Sequence, residues 1–232
     1  MTRSNPIFVA LDMVSLPGAL ALARTVKPYV GGVKVGLEFF CANGPEGVKE
    51  IIASGVPVFL DLKLHDIQNT VSSALKALSP LSPAIVNVHA SGGVGMMKAA
   101  ASALSGFKPR PKLIAVTVLT SLQESDLKSI GMPFRPLEQV ERLARLVKQS
   151  GLDGVVCSPR EIKAVRDVCG KDFLIVTPGV RPAGADLNDQ RRVMTPKEAM
   201  TEGADLLVIG RPITGAPDPA AAAKAIAAEL GV

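Results

Sequence analysis

The chain contains the stretch Val56-Pro57-Val58-Phe59-Leu60-Asp61-Leu62-Lys63-Leu64-His65-Asp66-Ile67, in which an apolar run ends in charged residues. Side chains in an extended segment alternate between two faces, so Asp61 and Lys63 project together and the neighbouring leucines project from the other face. Burying one charge alone would cost several kcal/mol, which means that the two must hold each other ionised or meet a charged ligand. The stretch therefore predicts a buried strand that ends in an active site.

The same unit, a short β-branched run followed by an amphipathic segment, recurs eight times along the chain. Strands are predicted at residues 7–12, 32–35, 56–63, 84–89, 112–118, 154–157, 173–177 and 206–210. Helices are predicted at residues 16–27, 38–54, 67–79, 93–105, 137–150, 159–168, 196–202 and 218–229. Nearly all-apolar strands are typical of a parallel sheet covered by helices. Eight such units predict an α/β fold, a single-domain (β/α)8 TIM barrel over residues 1–232.

An open doubly wound sheet is the alternative fold, and it would need a glycine-rich phosphate turn after its first strand. The residues at that point, Asp12-Met13-Val14-Ser15, supply none. In a barrel the chemistry lies at the C-terminal ends of the strands. The polar residues that interrupt the apolar pattern of this chain fall at those ends.

Composition limits the classes of function. Of the 232 residues 47% are hydrophobic and 20% charged, as in an ordinary globular protein, and no stretch approaches the roughly 20 apolar residues of a membrane span. The 26 basic and 21 acidic residues are interspersed, Trp is absent and aromatics are 3%, so we expect small anionic ligands rather than nucleic acid. Residues 1–6 lack the pattern of a secretion signal, and we expect a cytoplasmic protein.

Metal and nucleophile chemistry lack candidates in the sequence. The three cysteines, Cys41, Cys157 and Cys169, are an odd number without metal-ligand spacing, which argues against a disulfide framework and a zinc site. His65 and His89 have no evident Cys or Ser partner, so we expect structural roles for them. We predict no metal and no cofactor.

Two further charges extend the pair in the opening stretch. Asp12 ends the first strand, and Lys34 stands between valines on the second. Opposite charges about 4 Å apart attract by roughly 4 kcal/mol at an effective dielectric of about 20, enough to keep them ionised. The alternative is an ion-pair cluster that only fixes the barrel geometry, although buried pairs stabilise folds poorly. Asp66 has an alternative role too, because it stands where it could cap the third helix.

Phosphate binding is predicted at the last two repeats, since barrels often bind phosphate through the loops after strands seven and eight. Gly210 lets a backbone N–H approach a phosphate, and Arg211 adds a bidentate cation; the alternative is an exposed turn. Arg181 and Gln190 lie in the long irregular stretch after strand seven, and such loops usually close over ligands. Thr120, after strand five, either hydrogen-bonds a polar heterocycle or serves a turn.

Four ordered motifs resemble the orotidine 5′-phosphate decarboxylases: Asp61-x-Lys63-x-x-Asp66-Ile67, Lys34-Val35-Gly36, Pro178-Gly179-Val180-Arg181 and Ile209-Gly210-Arg211-Pro212-Ile213. The resemblance runs from about Phe8 to the C-terminal helix. It departs at Gln68, where many relatives have proline, and at Leu64, where an aromatic residue is common. It implies a cofactor-independent carboxy-lyase that converts orotidine 5′-monophosphate to UMP and CO₂, the last step of de novo UMP biosynthesis.

The resemblance also implies a role for each site residue. Lys63 would protonate the C6 carbanion, with Asp61 facing the leaving carboxylate and Lys34 as its partner. Asp12 would bind the ribose hydroxyls and Thr120 the pyrimidine. The implied phosphate ligands are Arg181, Gln190, Gly210 and Arg211. The implied homodimer would place Asp66, Ile67 and Thr70 in the site of the neighbouring subunit.

Two other functions are compatible with a barrel of this kind. One is a sugar-phosphate decarboxylase or synthase with a related Asp-x-Lys-x-x-Asp motif. The magnesium-dependent members carry a glutamate at the position of Lys34, and a cation there would repel the metal. The other is a non-catalytic phosphate-binding barrel, which would bind ligand without forming product.

Overall fold

A closed parallel barrel forms the centre of the protein. The computed structural model describes residues 5–182 and 194–232, and within these ranges eight strands pair in chain order, with the last closing on the first. The strands are β1 Ile7–Ala10, β2 Gly32–Gly36, β3 Val58–Leu64, β4 Ile85–His89, β5 Lys112–Val116, β6 Gly154–Val156, β7 Leu174–Pro178 and β8 Leu206–Ile209. The predicted TIM barrel is confirmed, and the predicted strand bounds differ from the observed ones by at most two residues.

Helices follow the strands and cover the outside of the barrel. They are α1 Leu16–Val26, α2 Leu37–Ala53, α3 Gln68–Leu78, α4 Gly93–Leu104, α5 Glu124–Ser129, α6 Pro136–Gln149, α7 Ile162–Cys169, α8 Pro196–Glu202, α9 Arg211–Thr214 and α10 Pro219–Leu230. The sequence pattern did not predict α5 and α9. These helices have six and four residues, too few for a helical repeat of apolar positions to be recognised.

The strand alternation separates two cores. Phe8, Phe59, Ile114 and Val176 belong to a cluster inside the barrel, whereas residues such as Val9 pack outward against the helices. On β3 the inward positions pass from Phe59 to Asp61, so the charged residues begin immediately above the apolar interior. This layering gives the mouth of the barrel an apolar floor.

The predicted start of α8 illustrates how local sequence sets a helix boundary. Thr195 N donates to Glu198 Oε2 at 2.8 Å, and Glu198 N donates to Thr195 Oγ1 at 3.2 Å. These two bonds form a capping box, and Pro196 occupies the first turn, where a missing N–H costs nothing. None of the helices in the two described ranges is both long and apolar enough to cross a membrane.

Candidate active site

Four side chains of alternating charge meet at the C-terminal ends of β1, β2 and β3. Lys34 Nζ lies 2.9 Å from Asp12 Oδ1 and 3.4 Å from Asp61 Oδ2. Lys63 Nζ donates a hydrogen bond of 2.8 Å to Asp61 Oδ1. Lys34 and Asp61 are buried, whereas the side chain of Asp12 is 56% exposed. The structure thus brings together all four residues that the sequence predicted to form a charge network.

The network stays ionised because its members compensate for burial. Burial disfavours the charged form of Asp61, but Lys34 and Lys63 outweigh it and hold the pKa of Asp61 below its ordinary value of 3.8. Burial also disfavours the charge on Lys34, but Asp61 and Asp12 raise the pKa of Lys34 above its ordinary value of 10.5. A fixed array of charges is therefore present at neutral pH.

Asn87 joins this network, and sequence reasoning missed it. The residue lies on β4 with 1% of its surface exposed. Its Nδ2 donates to Asp61 Oδ1 at 2.6 Å, and its Oδ1 accepts from Lys63 N at 2.8 Å. The available signal was a single amide within the apolar strand Ile85–His89, since a buried amide requires hydrogen-bond partners.

A cavity of about 190 Å³ opens beside Lys63. Lys34, Asp61 and Lys63 form its charged wall. The other lining residues are Phe59, Val116, Val118, Leu119, Thr120, Val156, Pro178 and Val208. The predicted pyrimidine contact, Thr120, thus lies half-buried in the same cavity as the charges. Apolar walls weaken solvent screening, so the charges act more strongly on anything bound there.

Two arginines lie close together after β7 and β8. Arg181 is only 6% exposed, and its Nη1 donates to Val180 O at 2.9 Å. Burial and the nearby Arg211 lower the pKa of Arg181, and within the described part of the chain its buried Nε has no hydrogen-bond partner. Two neighbouring guanidinium groups of this kind favour an anion between them. Gly210 immediately precedes Arg211, and Gln190 lies outside the described residues.

The three residues predicted to act across a dimer interface do not line the cavity beside Lys63. Asp66, Ile67 and Thr70 are exposed at the start of α3, with Ile67 72% exposed. Asp66 does not cap α3, because the N-cap residue is Ile67 and Asp66 Oδ1 accepts from Ile67 N at 2.7 Å. Asp66 and Ile67 border a depression of about 500 Å³ together with Gly92 and Met96.

The two histidines and the three cysteines are the remaining groups that the sequence analysis considered. The His65 and His89 rings lie 5.5 Å apart and are tilted by 39°, and burial lowers the pKa of His89. The cysteines are free thiols, of which Cys157 and Cys169 are buried. Within residues 5–182 and 194–232, no three His, Cys, Asp or Glu side chains are grouped so as to hold a metal ion.

Comparison with known proteins agrees with the geometry. The model of the Orotidine 5′-phosphate decarboxylase / HUMPS family matches residues 5–226. The chain belongs to this family. The resemblance inferred from the four motifs is therefore confirmed.

The similar family members cover nearly the whole chain. Orotidine 5′-phosphate decarboxylase of Rhodospirillum rubrum is 56% identical over 233 residues, which cover 97% of this chain and 94% of the relative. The enzyme of that name from Moorella thermoacetica is 54% identical over 236 residues, covering 99% and 94%. The crystal structure of orotidine 5′-phosphate decarboxylase from Lactobacillus acidophilus matches with a TM-score of 0.86 at 41% identity, covering 98% of this chain and 100% of that one.

We expect the charge network to make the stability of the folded protein depend on pH, and the pKa shifts of Asp61 and Lys34 give the direction of that dependence. The pKa of Asp61 is lowered on folding, so its stabilising effect is complete above 3.8 and is lost as the pH falls from 3.8 through the folded value. The pKa of Lys34 is raised, so its effect is complete below 10.5 and is lost as the pH rises through the folded value.

Urea unfolding at a series of pH values measures this effect. On acidification the free energy of unfolding should fall less for the Asp61→Asn variant than for the wild type, because the contribution of Asp61 is absent. The Asp167→Asn variant, changed at an exposed position on α7, should follow the wild type. If the free energy of unfolding fell equally steeply with decreasing pH in Asp61→Asn and in the wild type, the stabilising role of the ionised carboxylate would be contradicted.

Proposed function

We propose that residues 1–232 form one decarboxylase domain that converts orotidine 5′-monophosphate to UMP and CO₂ without a metal or organic cofactor. The observation that carries the proposal is the position of the Lys63 ammonium, which is paired with the buried Asp61 on the wall of a largely apolar cavity. Family membership over residues 5–226 supports the same reaction. A location in the cytoplasm stays a prediction.

Lys63 supplies the stabilisation that this reaction needs. Orotidylate carries a carboxylate on C6 of its pyrimidine, and loss of CO₂ leaves an electron pair localised on C6 with no obvious electron sink. A preorganised ammonium next to C6 stabilises this carbanion electrostatically and then transfers a proton to it. The C6–H bond forms with the electron pair that the carboxylate left behind, so the reaction requires no oxidant or reductant.

Asp61 acts on the substrate carboxylate. Its own carboxylate is kept ionised by Lys34 and Lys63, and it would face the substrate carboxylate at short range. The repulsion between the two anions disappears as neutral CO₂ departs, so the ground state is raised relative to the transition state. Lys34 and Asp12 complete the array, and Asp12 binds the ribose hydroxyls.

The phosphate binds at the two arginines after β7 and β8. Arg181, Gln190, Gly210 and Arg211 are the proposed ligands, and the closeness of Arg181 to Arg211 supports this assignment. Binding energy from this remote group can be used to close the site and to align the ring, which raises turnover as well as affinity. Thr120 contacts the pyrimidine from the cavity wall.

The active form is a homodimer in which Asp66, Ile67 and Thr70 enter the site of the neighbouring subunit. Ile67 is the most exposed large apolar side chain of the described residues and borders a depression of about 500 Å³, and a second subunit packed there would bury it. A twofold homodimer has one interface made of the same surface patch on both subunits, so each subunit would supply these residues to the site of the other.

The overall proposal is tested by adding orotidylate to the purified protein and following its ultraviolet absorbance with EDTA present. Conversion to UMP that EDTA leaves unchanged is the expected result. Turnover that requires a divalent metal would favour the sugar-phosphate type of chemistry, and binding without product would favour a non-catalytic barrel.

Replacement of the proposed proton donor should abolish turnover but not binding. The Lys63→Ala variant should lose at least about a hundredfold in kcat, because proton transfer and carbanion stabilisation both depend on the ammonium. Its affinity for UMP, measured by calorimetry, should change little. Lys224→Ala, on the exposed face of α10, is the control, and retention of substantial turnover by Lys63→Ala would rule out the assigned role.

Removing Arg211 should discriminate between ligands with and without phosphate. The Arg211→Ala variant should bind UMP about 10- to 100-fold more weakly, because a charge-assisted hydrogen bond is lost, and should bind uridine almost unchanged. Arg24→Ala, at an exposed position on α1, is the matched control. Equal losses for both ligands would refute the phosphate assignment.

Mixing two inactive variants tests the shared site. If Asp66 acts in the partner's site, a heterodimer of Lys63→Ala and Asp66→Ala contains one site with both native residues. Activity should therefore return when the two variants are dissociated and reassociated together, and the heterodimer should have up to half the activity of the wild type. Failure of the mixture to gain activity, with heterodimers demonstrated by mass spectrometry, would place Asp66 in the site of its own subunit or outside both.

A further inference from the structure

Lys63 has an unusual backbone conformation. Its φ is +53°, in the left-handed region that residues with a side chain seldom adopt. A strained residue of this kind persists only when the surrounding structure holds it in place. What holds Lys63 in place therefore also determines where its ammonium lies.

The irregularity arises where β3 pairs with β4. Leu60 is opposite Val86 and Leu64 is opposite Val88, so three residues of β3 face the single residue Asn87 between those two pairs. A bulge of this kind interrupts the ladder and leaves backbone groups without strand partners. Here the N–H of Lys63 donates to the side-chain Oδ1 of Asn87 at 2.8 Å.

The other end of the same amide binds the carboxylate that pairs with Lys63. Asn87 Nδ2 donates to Asp61 Oδ1 at 2.6 Å, and the ammonium of Lys63 donates to that same oxygen at 2.8 Å. One side chain thus fixes the backbone of Lys63 and the partner of its ammonium. An aliphatic residue would fit the pattern of β4 but could make neither bond.

We propose that Asn87 is a positioning residue for Lys63, which holds the left-handed turn and the Asp61 carboxylate so that the ammonium points into the cavity. Asn87 does not line that cavity, so it acts through Asp61 and Lys63 rather than on the substrate. The inference rests on the proposed decarboxylation for its kinetic consequences, whereas its structural consequence is independent of that function.

Two variants separate the two ends of the amide. Asn87→Ala removes both hydrogen bonds, and kcat should fall by about a hundredfold, because a displacement of about 1 Å at a reacting group has an effect of that size. The affinity for UMP should stay within about threefold, since the phosphate and ribose contacts are unchanged.

Asn87→Asp retains the acceptor for Lys63 N but places a second carboxyl group beside Asp61. When the introduced carboxyl is protonated, it can again donate to Asp61 and accept from Lys63, as asparagine does. Two adjacent carboxylates repel each other, so one of them takes up a proton more readily than an isolated carboxylate does. Protonation restores the two hydrogen bonds, and the kcat of this variant relative to the wild type should therefore rise as the pH falls towards about 5. A residue with only a packing role would not produce this recovery.

The pH profile of Asn87→Ala provides another signature. The groups that act on Asp61 are Lys34 on β2, Lys63 on β3 and His89 on β4, and the Asn87 amide adds a hydrogen bond that stabilises the ionised form. Loss of that bond should move the acid limb of kcat/KM to higher pH. Loss of stability alone would lower activity without moving the limb.

Asp205→Ala is the matched control for destabilisation. At the opposite end of the barrel, Asp205 Oδ2 accepts from Arg166 Nη2 and from Ile175 N, both at 2.7 Å, so its removal also breaks a side chain to backbone bond. At a comparable loss of thermal stability, Asp205→Ala should keep kcat within about twofold of the wild type. A similar fall in kcat for Asp205→Ala and Asn87→Ala would overturn the proposal.

A crystal structure of the variant decides the question without any assay. In Asn87→Ala where it folds, and in Asn87→Asp crystallised at a pH at which the introduced carboxyl is ionised, Lys63 should leave the left-handed region or its Nζ should move out of hydrogen-bond range of Asp61. Unchanged Lys63 geometry in either of these two structures would overturn the positioning role. Wild-type protein without decarboxylase activity would contradict the proposed function alone, and active wild type with an equally active Asn87→Ala would contradict this inference alone.

Discussion

The buried carboxylate of Asp61 between two ammonium groups is the constraint on which the rest of the site depends. Burial by itself would raise the pKa of Asp61 and lower the pKa of Lys34. The oppositely charged neighbours outweigh burial at both residues, and Asp61 lies 3.4 Å from Lys34 and 2.8 Å from Lys63. The charges are therefore set before any substrate arrives, and preorganisation of this kind is the largest contribution that many active sites make to catalysis.

The closed barrel provides the rigidity that this arrangement needs. The register places Lys34 opposite Phe59 and Asp61 opposite Gly36, so Lys34 lies one inward position below Asp61 and its long side chain reaches up to the carboxylate at 3.4 Å. Phe59, immediately below Asp61 on β3, belongs to the apolar interior cluster and keeps water away from beneath the charges. A lower local dielectric strengthens the attraction between the charges, and it also makes any unpaired member costly.

The site contains two regions with different electrostatic character. Beside β3, cations and an anion alternate and compensate one another. After β7 and β8, the cations Arg181 and Arg211 lie together, and burial and the nearby Arg211 lower the pKa of Arg181. On the proposed function, the second region binds the phosphate in both substrate and product, whereas the first acts on a carboxylate that leaves during the reaction. The difference agrees with the chemistry, because only the group that departs should be destabilised in the ground state.

The sequence alone determined the barrel and the types of charge in it. Strand alternation and helix periodicity are local, so the strand bounds to within two residues, the shared direction of Asp61 and Lys63 and the start of α8 after Thr195 were predicted from neighbouring residues. Short helices such as α5 carry too few residues to show a period and were missed.

Only the tertiary structure decided how Lys63 is held. Asn87 is 24 residues away from Lys63 along the chain, and its two hydrogen bonds depend on the shifted register between β3 and β4. The exposure of Ile67 and the closeness of Arg181 to Arg211 likewise depend on how separate elements pack. Register and packing arise from contacts between distant parts of the chain, and no local pattern of residues specifies them.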